Sequence, residues 1–104
     1  MSDRGDESTR DAVTRNESRS RFEAKVGEDE VAVLEYRERD GVLELTHTEV
    51  PAAAEGKGMA GALAKAALGY ARERGMRVVP SCSFVAKYIE RHPEYEELLA
   101  TSSR

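Results

Sequence analysis

The sequence is poor in the residues that most often carry a crosslink, a metal or a membrane anchor. Cys82 is its single cysteine, which excludes an internal disulfide framework and a cysteine-based zinc cluster. The two histidines, His47 and His92, stand far apart and point to no metal. No apolar run approaches the roughly 18 residues that suggest a membrane span. No basic stretch followed by an apolar one opens the chain, so no secretory signal is expected. Cations do not dominate: 16 Lys and Arg face 20 Asp and Glu, for a net charge of −4, which argues against nucleic acid as a partner. The resulting expectation is a cytoplasmic monomer without metal, nucleic acid or membrane contact.

What is present fits one domain of 104 residues. Residues 1–20, "MSDRGDESTRDAVTRNESRS", have Met1, Ala12 and Val13 as their only apolar side chains, with five acids interspersed among four arginines. Such a segment has nothing to bury and is predicted to be a disordered tail, leaving residues 21–104 as the domain. "RFEAKV" (21–26) alternates Phe22, Ala24 and Val26 on one side, as a strand does, and "EVAVLEYRE" (30–38) follows as a second strand. Asp40-Gly41 predicts a type I′ hairpin, because both residues tolerate positive φ. A two-residue loop pairs Arg39 with Val42, Arg37 with Glu44, Tyr36 with Leu45 and Leu34 with His47. It places His47 on the face of Leu43 and Leu45. The third strand then runs from about Val42 to Val50.

Beyond Pro51, Lys57 to Arg74 carries Met59, Ala60, Leu63, Ala67, Tyr70 and Ala71 on one helical stripe, with Gly75 placed to end the helix. "MRVVP" (76–80) reads as a short buried strand. Phe84, Val85, Tyr88 and Ile89 mark a C-terminal helix that Pro93 stops, and "EYEELL" adds a final turn. The order is an antiparallel meander, one βαβ crossover and a helix: an α+β (α/β) domain on a mixed sheet.

Gly56, Gly58 and Gly61 spell G-x-G-x-x-G before the first helix. A dinucleotide site would need these glycines directly after a strand and an acid at the end of the next one. Five residues separate Val50 from Gly56, and the next strand ends in Pro80-Ser81-Cys82, so that reading fails. A Walker-type loop would need glycine at position 51 and Ser or Thr at position 58, where Pro and Gly stand. Two readings remain open on the glycines alone: a helix N-terminus that cradles a pyrophosphate, or a loop that needs glycine to enter the helix.

The stretches "HTEVP" (47–51), "GKGMA" (56–60), "VVPSC" (78–82) and "YIERHPEY" (88–95) resemble the small YjdJ-type branch of the GNAT N-acetyltransferase superfamily, over about Phe22 to Leu99. The resemblance implies a minimal GNAT fold that uses acetyl-coenzyme A as co-substrate and an amine of unknown identity, small or macromolecular, as acceptor. The family's Gln/Arg-x-x-Gly-x-Gly/Ala loop, which binds the coenzyme A pyrophosphate, falls on Glu55 to Ala60, with Glu55 departing from the pattern. Gly56, Lys57, Gly58, Met59, Ala60 and Gly61 are therefore candidate cofactor-binding residues. Glu49 and Val50 are implied to align the pantetheine arm by their backbone. The N-terminal strand and helices that usually wall the acceptor site are absent, so the acceptor side is expected to be open. A non-catalytic acyl-coenzyme A binder or interaction module with the same fold is the alternative.

Three side chains are candidates for chemistry. Cys82 follows a strand and starts a helix, where the helix N-terminus favours thiolate, and it is expected near the acyl group. His47 is a candidate general base for an amine or for Cys82. Tyr88 matches the helix tyrosine that often protonates the departing thiolate in GNAT enzymes. Glu49 is a weaker alternative base acting through water. His92 reads as structural. Lys87 and Arg91 read as solvated helix charges, either of which could meet a coenzyme A phosphate.

Overall fold

A computed structural model of the protein describes residues 13–56 and 58–100. One five-stranded sheet in the order β1-β2-β3-β4-β5 carries two helices. The strands are β1 (Val13–Asn16), β2 (Arg21–Val26), β3 (Glu30–Arg39), β4 (Val42–Glu49) and β5 (Arg77–Pro80). Helix α1 (Met59–Glu73) links β4 to β5, and α2 (Ser83–Arg91) follows β5. A 3-10 stretch, Pro93–Leu98, closes the described chain.

The hairpin forms as its turn chemistry requires. Asp40 and Gly41 take φ of 55° and 79°, and Arg39 pairs with Val42, Arg37 with Glu44 and Tyr36 with Leu45. The register then slips by one residue between Glu35 and Tyr36, so that Glu35 meets His47 and Leu34 meets Thr48. The expected Leu34–His47 pair does not form. A bulge on β4 is the cause, and the Thr46 hydroxyl secures it by donating to the Glu35 carbonyl at 3.1 Å. Side chains alternate between faces, so one extra residue exchanges the faces of everything after it. His47 leaves the apolar face of Leu43 and Leu45, and Thr48 takes its place.

The predicted tail is also corrected, for the part that is described. Residues 13–16 form β1, antiparallel to β2, and a 3-10 turn, Glu17–Arg19, joins the two strands. The small apolar content of this segment is offset by contacts elsewhere in the molecule. Arg15 donates to the Tyr36 hydroxyl at 3.1 Å and lies over the Tyr70 ring, 4.6 Å from its centroid. The remainder of the predicted tail, residues 1–12, lies outside the described residues.

Both helices cover the face that carries Phe22, Ala24, Ala32, Leu34, Tyr36, Leu43, Leu45 and Val78, and one apolar core joins the two layers. From the helices come Leu63, Ala67, Leu68 and Ala71 of α1 and Val85 and Ile89 of α2. Alanines on the inner stripe of α1 let it sit close to the sheet. Truncating one of the fully buried leucines to alanine is expected to cost about 2–5 kcal/mol. The opposite face carries Glu23, Glu35, Arg37, Glu44, His47 and Glu49, none of them fully buried. This one-sided packing explains why β5 is not the fully buried strand its sequence suggests. Val78 is buried, whereas Arg77 is exposed and Val79 and Pro80 are half-buried.

Candidate functional site: the gap between β4 and β5

β4 and β5 run parallel and pair from Val42↔Arg77 to Leu45↔Pro80, where the ladder stops. The Cys82 N–H closes it with a 2.9 Å hydrogen bond to the Leu45 carbonyl. From Thr46 onward β4 pairs with β3 alone. The chain after β5 turns away into α2, so β4's free edge beyond Leu45 borders a gap. Backbone groups there are available to an extended ligand, as an unpaired strand edge requires.

The loop that leaves β4 leads into the N-terminus of α1. Gly56 and Gly58 take φ of 82° and 78°, a left-handed conformation that side chains rarely adopt, and a Cβ at either would meet nothing within 4 Å. Gly58 is the residue that caps α1, and no side chain caps the helix. The N–H groups of Met59, Ala60 and Gly61 in the first turn therefore have no intrahelical partner and face the positive end of the helix dipole. The prediction for Lys57 falls outside the described residues. Val50 packs against the core as the strand ends.

Cys82 caps α2 and is half-buried. Its Sγ lies 3.2 Å from the Thr48 hydroxyl, the residue that the bulge turns to this side. Thr48 was not among the sequence candidates, because a regular ladder would have aimed it away. His47, on the other face, cannot partner Cys82. Its Nε2 lies instead 3.7 Å from a Glu49 carboxylate oxygen, and the two side chains are 57% and 74% exposed. They stand at the edge of the sheet's open face. There an apolar floor that includes Val33 and Val50, with Glu30, Glu35, Glu49 and Arg21 at its border, forms a hollow of about 540 Å³.

Tyr88 lies beside the loop end of the site. A Cβ on Gly61 would stand 3.7 Å from its Cε1. Its ring stacks on His92 at a 4.0 Å centroid separation. Burial, with smaller contributions from Tyr95 and Glu94, raises the Tyr88 pKa above the ordinary tyrosine value, so the phenol stays neutral at physiological pH. His92 is held by its Nδ1, 2.8 Å from the Tyr88 carbonyl. Among the described residues, no group of three or more His, Cys, Asp or Glu side chains could hold a metal ion. No helix there is long and apolar enough to cross a membrane.

A mixed sheet whose parallel pair, β4 and β5 at one edge, parts beside a glycine-entered helix defines an acetyltransferase type of architecture. The chain belongs to the GCN5-related N-acetyl-transferase family, whose profile matches residues 21–98. It is 36% identical to Protein NATD1 of Danio rerio over 97 residues, covering 88% of this chain and 87% of that protein. It is 40% identical over 52 residues to Protein NATD1 of Homo sapiens and of Gallus gallus, half of this chain in each case. These two matches span about half the relatives' own length, 46% and 47% respectively. The NMR solution structure of a GCN5-like candidate N-acetyltransferase from Staphylococcus aureus superposes with a TM-score of 0.62 at 25% identity, covering 84% of this chain and 85% of that one.

Proposed function

We propose that the protein is an N-acetyltransferase that moves the acetyl group of acetyl-coenzyme A to an amine. The observation that carries this reading is the early end of the β4–β5 ladder at Leu45, directly ahead of an uncapped helix N-terminus. The pantetheine arm lies along the free edge of β4 by Glu49 and Val50, and the pyrophosphate lies on the N–H groups that follow Gly58.

The two faces of β4 divide the chemistry. On the helix side, the Thr48–Cys82 contact favours a first transfer to sulfur. The Cys82 sulfur, at the α2 N-terminus and beside the Thr48 hydroxyl, attacks the thioester carbonyl. A new C–S bond forms as the old one breaks, and the departing thiolate gains the proton that Cys82 gave up. An amine that enters through the gap from the open side attacks the acetyl-cysteine, forming the C–N bond as the C–S bond breaks and Cys82 leaves as the thiolate. His47 accepts the amine proton, with Glu49 beside the resulting imidazolium. Three glutamates against one arginine on the open-face hollow favour an acceptor that carries a positive charge besides its reacting amine.

The test is steady release of coenzyme A thiol with acetyl-coenzyme A and a panel of amines, run beside calorimetry with coenzyme A. Turnover with at least one amine is expected. Tight binding without turnover across the panel would instead make the protein a non-catalytic acyl-coenzyme A binder.

A further inference from the structure

On the open face of the sheet, β3 carries an apolar strip between two carboxylates. Val33 is 6% exposed although no helix covers that face, and Val31 is 38% exposed. With Val50 they floor the hollow of about 540 Å³, which is within the size range of small-molecule sites. At one end Glu35 pairs with His47 across the β3–β4 ladder, and next along it Val33 pairs with Glu49, the residue beside the His47 Nε2. Glu30, the first residue of β3, stands at the other end. Arg21, the cation that borders the hollow, is already engaged, because its Nε donates to Glu23 at 2.7 Å. Neither Glu30 nor Glu35 has an ion-pair partner among the described residues. The turn ahead of Glu30 adds Glu28 and Asp29, against Lys25 alone. The hollow thus has a base at one end, uncompensated negative charge at the other, and hydrocarbon between.

An apolar floor with a carboxylate at its far end complements a hydrocarbon chain that ends in a cation. We propose that the hollow takes a linear aliphatic diamine as acceptor, its reacting nitrogen at His47 and Glu49, its methylenes over Val33 and Val31, and its distal ammonium at Glu30. The proposal rests on the acetyl-transfer reading of the β4–β5 gap. Val33, which faces Glu49, and Glu30 are three residues apart on an extended strand, which sets the two nitrogens about 10 Å apart. One nitrogen gives up its proton to react, and the other keeps its charge and needs a carboxylate. Glu30 is thereby a specificity-determining residue, and the two valines set the length of chain that reaches it.

Initial rates on the full chain with acetyl-coenzyme A test this, using α,ω-diamines from diaminobutane to diaminodecane, each beside the monoamine of the same chain length. The unaltered protein is expected to prefer the diamine in kcat/KM, per reactive nitrogen, by about fivefold, the worth of one exposed ion pair. The preference is expected to peak where the nitrogens span about 10 Å and to shrink at high salt. Glu30→Gln is expected to bring the diamine down to the level of the monoamine, with the melting temperature held. Glu30→Lys is expected to turn the preference toward the ω-amino carboxylate of that length. Equal rates for diamines and monoamines in the unaltered protein would overturn the proposal and leave the acetyltransferase reading standing. A diamine preference that survives Glu30→Gln, or a lysine peptide used faster than every diamine, would do the same. Absence of turnover with every amine would overturn both readings.

Discussion

Thr48 and Cys82 meet across the end of the β4–β5 ladder, and their contact sets what the thiol can do. On the proposed covalent route Thr48 positions the thiol by this hydrogen bond and Cys82 is the nucleophile. Brief incubation with acetyl-coenzyme A is expected to add one acetyl group to Cys82, seen by intact mass and absent in Cys82→Ala. Thr48→Val, which keeps the shape and deletes the hydroxyl, is expected to slow labelling about tenfold, the worth of one hydrogen bond to a charged group. Turnover that persists in Cys82→Ala, with no adduct at any pH from about 6 to 9, would instead mean that the amine attacks the thioester directly.

Helix α1 is entered and left through glycines of the same handedness, and this allows strain to be separated from binding. Gly58 at one end and Gly75 at the other have φ of 78° and 67°, each with open space where a Cβ would go. Gly75 closes the helix with Met76 N–H donating to the Ala71 carbonyl at 2.9 Å. Alanine at either position is expected to cost about 1–2 kcal/mol in backbone strain. Only Gly58→Ala is expected to lose coenzyme A affinity as well, because its methyl group projects where the pyrophosphate lies. Equal affinities in the two variants would move the ligand away from this loop. Strand β1 is a second element with a testable worth. Deleting residues 1–20 removes its pairing with β2, the Arg15–Tyr36 hydrogen bond and the cation–π contact on Tyr70. The melting temperature is expected to fall by several degrees, and an unchanged value would show that β1 contributes nothing. The elements differ in how legible they were. The Asp40-Gly41 hairpin, α1 and α2 follow from turn chemistry and 3.6-residue periodicity, which are local. β1 does not: Thr14, Arg15 and Asn16 are polar, and Arg15 is held by Tyr36 and Tyr70, 21 and 55 residues away. The bulge at Thr46 was equally hidden, since nothing in "LELTHTE" marks an extra residue. The sequence pattern thus exposed the thiol and the glycine loop but aimed His47 inward and left Thr48 unnoticed.

At the scale of the molecule, two helices on one face of the sheet leave the other face open, and the gap between β4 and β5 connects them. On the proposed function the co-substrate approaches from the helix side, where the glycine loop lies, and the acceptor from the side of His47 and Glu49. This division is the central claim, and backbone amide chemical shifts recorded while coenzyme A is titrated into the full chain test it most directly. The amides of residues 46–50, 56–61 and 81–84 are expected to shift together along one saturating curve, with those of β1 and the β2–β3 turn staying in place. Shifts confined to the open face, or none at saturating ligand, would contradict the account.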